Sequence, residues 1–121
     1  MALVLCTGVD QLLMLTRKLI LEREGHTVVT AKGELELTAA CEKHRFDVAV
    51  IGQAVSAKSK KTIASLIRRQ CPSAKILELY ALYQGKTLGD ADDWLEVPVL
   101  VPHDLAEHVT ELAAKTKPGS A

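Results

Sequence analysis

A chain of 121 residues, 48 % of them hydrophobic, is sized for one domain with one core, and 3 % aromatics make that core aliphatic. Fifteen basic and fifteen acidic residues cancel, so net charge draws the protein toward neither nucleic acid nor a membrane surface. No apolar run approaches the roughly 20 residues of a membrane span, and three widely spaced cysteines without a Cys-x-x-Cys pair indicate neither a disulfide frame nor a zinc site.

The first seven residues are apolar but lack a basic leader and a small-residue cleavage site. They read as a first strand, over residues 2–6, rather than a signal peptide, and a reducing cytoplasm is expected. Asp10 precedes a helix over 11–24 and is placed to cap it. In that helix Leu12, Leu15, Leu19 and Ile20 share one face, expected to point inward. Gly25 is its stop. A strand over 27–31 follows, broken by Gly33, and then a helix over 34–44 with Leu37, Ala40, Cys41 and His44 inward or half inward. Residues 46–51 are short, apolar and β-branched, as in a strand buried on both faces of a parallel sheet. The chain is organised around this strand. A loop over 52–57 leads to a helix over 58–70 that buries Ile63, Leu66 and Ile67 and ends at Pro72. Strands are expected over 75–80 and 94–100, the second at a sheet edge or ending early because of Pro98. Residues 81–93 have no helical period. A last helix over 104–115 carries Leu105, Val109 and Leu112 in register, and residues 117–121 are expected to be a disordered tail. The alternation implies an α/β sandwich on an open parallel sheet, one domain over residues 1–116.

Few residues suggest chemistry on their own. Asp10 is a metal ligand or, preferably, a helix cap. Cys6 lies in an apolar strand and reads as an inert buried thiol. His103 with Glu107, and His108 with Asp104, have the i,i+4 spacing of helical pairs more than that of a metal site. Lys58, Lys60, Lys61, Arg68 and Arg69 read as a solvated basic face, since no interleaved aromatics or base-reading motif accompany them, and no nucleic-acid partner is expected. Gly8 and Gly52 can make room for a small ligand above the sheet, although no Gly-x-Gly-x-x-Gly or Walker motif occurs.

Three passages resemble response-regulator receiver domains. Glu22-Arg23-Glu24-Gly25-His26-Thr27-Val28-Val29-Thr30-Ala31 is similar to their passage from first helix to second strand. Phe46-Asp47-Val48-Ala49-Val50-Ile51 resembles their third strand, and Gly89-Asp90-Ala91-Asp92-Asp93-Trp94-Leu95 their entry to the fifth. The resemblance covers about residues 2–115. It implies a flavodoxin-like three-layer sandwich, strand order 2-1-3-4-5, with two helices on one face and three on the other. It also implies phosphoryl transfer onto an aspartate, with two further acids holding Mg²⁺, a hydroxyl on the fourth strand and a lysine on the fifth. The matching positions are depleted. The acid pair falls on Gly8 and Val9, with Asp10 one place later. The acceptor falls on Gly52, and the hydroxyl position holds Tyr80, a pocket plug, a partner anchor or an ordinary strand-end aromatic. The lysine falls on Val97, or on Val101 if Pro102 sets the register. The fourth helix is expected to be shortened or missing, since 80–89 holds only one or two turns. The expectation is a degenerate, non-catalytic receiver without metal or cofactor. It would bind a protein partner such as a histidine kinase or output protein, or form a homodimer. The alternatives are a small-ligand module above Gly8, Gly52 and Tyr80, and an unconventional receiver phosphorylated on Asp10 or Asp47.

Overall fold

The structure is a computed structural model that describes residues 2–99 and 101–115. Its elements run β1 (Leu3–Gly8), α1 (Gln11–Arg23), β2 (Thr27–Lys32), α2 (Gly33–Lys43), β3 (Val48–Ile51), α3 (Ala57–Gln70), β4 (Lys75–Ala81), β5 (Asp93–Val97) and α4 (His103–Lys115). The five strands form one parallel sheet in the order β2-β1-β3-β4-β5. This is the flavodoxin-like sandwich expected of the sequence, and the central β3 is buried along its whole length. Each of Val48, Val50 and Ile51 stabilises the fold by roughly 1.5–3 kcal/mol through burial.

One side of the sheet buries Leu37 and Ala40 of α2 with Ile63 and Ile67 of α3. The other buries Leu21 of α1 with Leu105, Val109 and Leu112 of α4. With no helix between β4 and β5, the layers hold two helices each among the described residues, where the resemblance implied two and three. Ser56 caps α3 through Ser59 N–H, and Gly25, at φ +94°, takes the left-handed turn that ends α1.

Several expectations need correction. Leu12, Leu15 and Leu19 lie on the outer face of α1, 72 %, 50 % and 60 % exposed, while Met14, Arg17 and Leu21 face inward. Leucines surround α1 on nearly every side, so spacing alone could not choose the face. His44 is exposed beyond the end of α2. Cys41 and Cys71 form a disulfide with Cα atoms 5.6 Å apart, joining the end of α2 to the residue after α3. They are 30 residues apart in sequence; only the side-by-side packing of α2 and α3 brings them together. The bond also removes cysteine pattern as an argument for a reducing compartment. No helix among the described residues is long and apolar enough to cross a membrane. The strand expected to reach residue 100 stops at Val97, before Pro98. Leu100 and the expected tail over 117–121 lie outside the described residues.

Candidate functional site

The carboxyl edge of the sheet brings together two of the positions that the sequence singled out. Thr7 pairs with Ile51, so β1 and β3 deliver Gly8 and Gly52 side by side. A Cβ on Gly8 would lie 3.9 Å from Gly52 Cα. The group that faces Gly52 comes from α1. A Cβ on Gly52 would lie 3.0 Å from Arg17 Nη1, so the guanidinium stands where a side chain at position 52 would start. Arg17 is only 9 % exposed. Its Nη2 donates to the Oε1 of Gln53, the next residue of the same turn.

The electrostatics follow from burial. Desolvation lowers the Arg17 pKa, countered in part by Cys6 and Asp10. Burial pushes the Cys6 thiol up to about 12, against a smaller opposing pull from Arg17. Cys6 therefore stays a neutral thiol, as its apolar strand suggested. The Asp10 carboxylate is engaged by its own helix, where Oδ1 accepts the Leu13 N–H at 3.1 Å and caps α1. Among the described residues no carboxylate lies within ion-pair distance of Arg17.

The other positions that the sequence singled out separate. Val9 is 50 % exposed. Val97 is buried and lines a cavity of about 220 Å³ with Arg17, Gln53 and Leu79. The Val97–Pro98 peptide is cis. Tyr80 is half-buried on the opposite face, sharing it with Glu78, and Lys86 Nζ lies 5.9 Å from its ring centre and 4.9 Å from that of Trp94. Tyr80 thus does not join Gly8, Gly52 and Arg17.

Mg²⁺ in this pocket would need a set of hard oxygen ligands. The edge offers two glycines, an exposed valine, a capping carboxylate and a buried guanidinium, and these residues do not fit it. Among the described residues no group of three or more His, Cys, Asp or Glu is placed to hold a metal. The histidine pairs differ in part from expectation. His103 meets Glu24 at 3.4 Å and Glu107 at 3.7 Å, but His108 Nδ1 meets Asp93 at 2.6 Å rather than Asp104. Asp47 sits at the opposite edge, where its Oδ2 accepts the Leu3 N–H at 2.9 Å.

Sequence reasoning missed Arg17 and Lys60. Arg17 stands three residues after Met14 and four before Leu21, the spacing of the buried stripe, and that was its one signal. Lys60 belongs to the stretch read as a solvated basic face, yet it is 2 % exposed and bonds Glu78. Arg68 of the same stretch donates to Asp90 O at 2.6 Å and faces Asp92 at 3.4 Å.

No protein-family model matches the chain, and no curated protein matches it. Solved structures do. The receiver domain of the Francisella response regulator 1452 superposes with a TM-score of 0.78 at 22 % identity, over 97 % of this chain and 100 % of that one. The Thermotoga maritima response regulator TrrA, in complex with Mg²⁺ and beryllofluoride, gives 0.76 at 23 %, over 93 % and 99 %. The signal receiver domain of a Syntrophus aciditrophicus histidine kinase gives 0.81 at 18 %, over 98 % and 94 %. The likeness is one of architecture: this chain has the fold of response-regulator receiver domains.

Proposed function

We propose that this chain is a receiver-like signalling module that acts by protein contact, without aspartyl phosphorylation. The observation that carries the reading is the guanidinium of Arg17 against Gly52. Where the family places a nucleophilic carboxylate among metal-binding acids, this edge has a glycine backed by a cation. A glycine has no oxygen to phosphorylate, and a buried cation repels the Mg²⁺ that the transfer requires. Leu12, Leu15 and Leu19 on the outer face of α1, with Val9 in the turn before it, are each at least half exposed and supply an apolar surface suited to a protein partner. That partner would be a histidine kinase, an output protein or a second copy of the chain, with no nucleic acid involved.

The test is incubation with acetyl phosphate and Mg²⁺ beside an active receiver as control, read by intact mass and base lability. The reading expects no phosphorylated species. A base-labile phosphoprotein, on Asp10, Asp47 or elsewhere, would refute it.

A further inference from the structure

The cavity beside Arg17 lies between α1, β5 and the start of α4. Its walls are largely apolar, with Leu13, Ile20, Leu79, Leu95 and Leu105 among them. Arg17 is its charged lining residue among those described. A guanidinium has five N–H donors, yet among the described residues one neutral acceptor, the Gln53 amide, serves it. Asp10 is occupied at the cap of α1, and Cys6 is held neutral by burial. A buried charge without a counter-ion is costly, and an entering anion that pairs with it recovers part of that cost. A carboxylate matches the planar fork of the guanidinium through two parallel hydrogen bonds. The apolar walls ask for a hydrocarbon tail behind it.

We propose that this cavity is a binding site for a small aliphatic monocarboxylate, its carboxylate on Arg17 and its tail along the α1–β5–α4 wall. At about 220 Å³ the space is smaller than the roughly 300–1,000 Å³ of drug-sized pockets. At about 30 Å³ per water-sized group it holds roughly seven, close to the eight non-hydrogen atoms of a six-carbon acid. The site is independent of whether the protein accepts phosphate. It would make the α1 face, the surface assigned above to a partner, responsive to a metabolite.

The experiment is titration of the full chain with hexanoate, 1-hexanol and acetate at fixed ionic strength, read by amide NMR shifts and calorimetry. Hexanoate is expected to bind with millimolar or better affinity and to shift Arg17 and Gln53, with 1-hexanol and acetate each weaker by about tenfold or more. Arg17→Met should weaken hexanoate by about tenfold or more while leaving any 1-hexanol binding in place. Should Arg17→Met not fold, Leu13→Phe decides, because it narrows the cavity and keeps the cation: hexanoate binding should fall by about tenfold or more. Equal binding of hexanoate and 1-hexanol would overturn the proposal. So would no binding at about 10 mM, or hexanoate affinity unchanged in a folded Arg17→Met or Leu13→Phe protein.

Discussion

Lys60 and Glu78 form an ion pair inside the protein: Nζ and Oε2 are 2.8 Å apart, and the side chains are 2 % and 0 % exposed. Lys60 also donates to Leu79 O at 2.8 Å. The carboxylate of Glu78 accepts the backbone N–H groups of Thr87 and Leu88 at 2.8–3.1 Å. One buried acid therefore ties α3 to β4 and pins the segment that runs from β4 to β5 without a helix. Lys60→Met leaves that carboxylate buried without its cation, and should destabilise the protein by about 3–5 kcal/mol in urea denaturation. Glu78→Leu strands both the lysine and two backbone donors, so limited proteolysis should cut within 82–92 faster than in the parent. A Lys60→Met loss below about 1 kcal/mol would mean that the pair is solvated.

That pair also marks how far the sequence could be read. Strand order, the parallel sheet and the missing helix were legible because β-branched runs, glycine stops and apolar spacing are local signals, and a family resemblance fixed their arrangement. The cap on α1 was legible in Asp10 for the same reason. What failed depended on contacts across the fold. Lys60 reads as a surface residue until Glu78, eighteen positions later, lies beneath it. Cys41 and Cys71 cannot be paired before α2 and α3 are neighbours. The rotation of α1, and with it the burial of Arg17, is undecidable in a helix that is leucine-rich on several sides. At the candidate site, sequence located the glycines but not the cation that fills their space.

Thr7 is 1 % exposed, and among the described residues its Oγ1 has no hydrogen-bond partner. A buried hydroxyl without a partner costs more than a methyl of similar shape in the same place. Thr7→Val should therefore stabilise the chain by about 1 kcal/mol, read as a higher urea midpoint at an unchanged slope. A less stable variant would show that the hydroxyl has a partner in solution.

Gly52→Asp tests whether a carboxylate at this position is enough for phosphoryl transfer. Its carboxylate would grow toward Arg17 Nη1, 3.0 Å from the new Cβ, and the flexible guanidinium can give way to pair with it. A carboxylate engaged by arginine is a poorer nucleophile, and Gly8 and Val9 still provide no acids for Mg²⁺. Acetyl phosphate with Mg²⁺ should leave the intact mass of Gly52→Asp unchanged. A phosphoryl group on the introduced carboxylate would show that acids at Gly8 and Val9 are dispensable.

His26 gives the fold a pH dependence. Its Nδ1 accepts the Ala2 N–H at 3.1 Å, so the ring proton is on Nε2, 3.0 Å from Thr110 Oγ1. Burial lowers its pKa below 6.5, with Glu24 acting in the opposite direction. The folded state thus binds fewer protons than the unfolded state between the lowered value and 6.5. Stability from this group is present above that window and is lost as pH falls through it, with a slope of at most about 1.4 kcal/mol per pH unit. His26→Gln can keep both hydrogen bonds and does not titrate. Its urea midpoint should fall less than the parent's between about pH 7 and 5, and parallel curves would remove His26 as the cause.

The two faces of α1 should respond oppositely to substitution. Leu21 is fully buried with the α4 side chains, and Leu21→Ala should cost about 2–5 kcal/mol. Leu12, Leu15 and Leu19 bury little in the isolated chain, so Leu12→Gln with Leu19→Gln should change stability by only about 0.5 kcal/mol per site. Their effect belongs to association, because an exposed apolar stripe gains from being covered. If a second copy covers it, light scattering of the parent should show a concentration-dependent dimer that the double variant lacks. If a kinase or output protein covers it, the parent should be monomeric and the double variant should lose that partner in a binding assay. A large stability loss in the double variant would instead put these leucines in the core, reversing the helix rotation on which the burial of Arg17 depends.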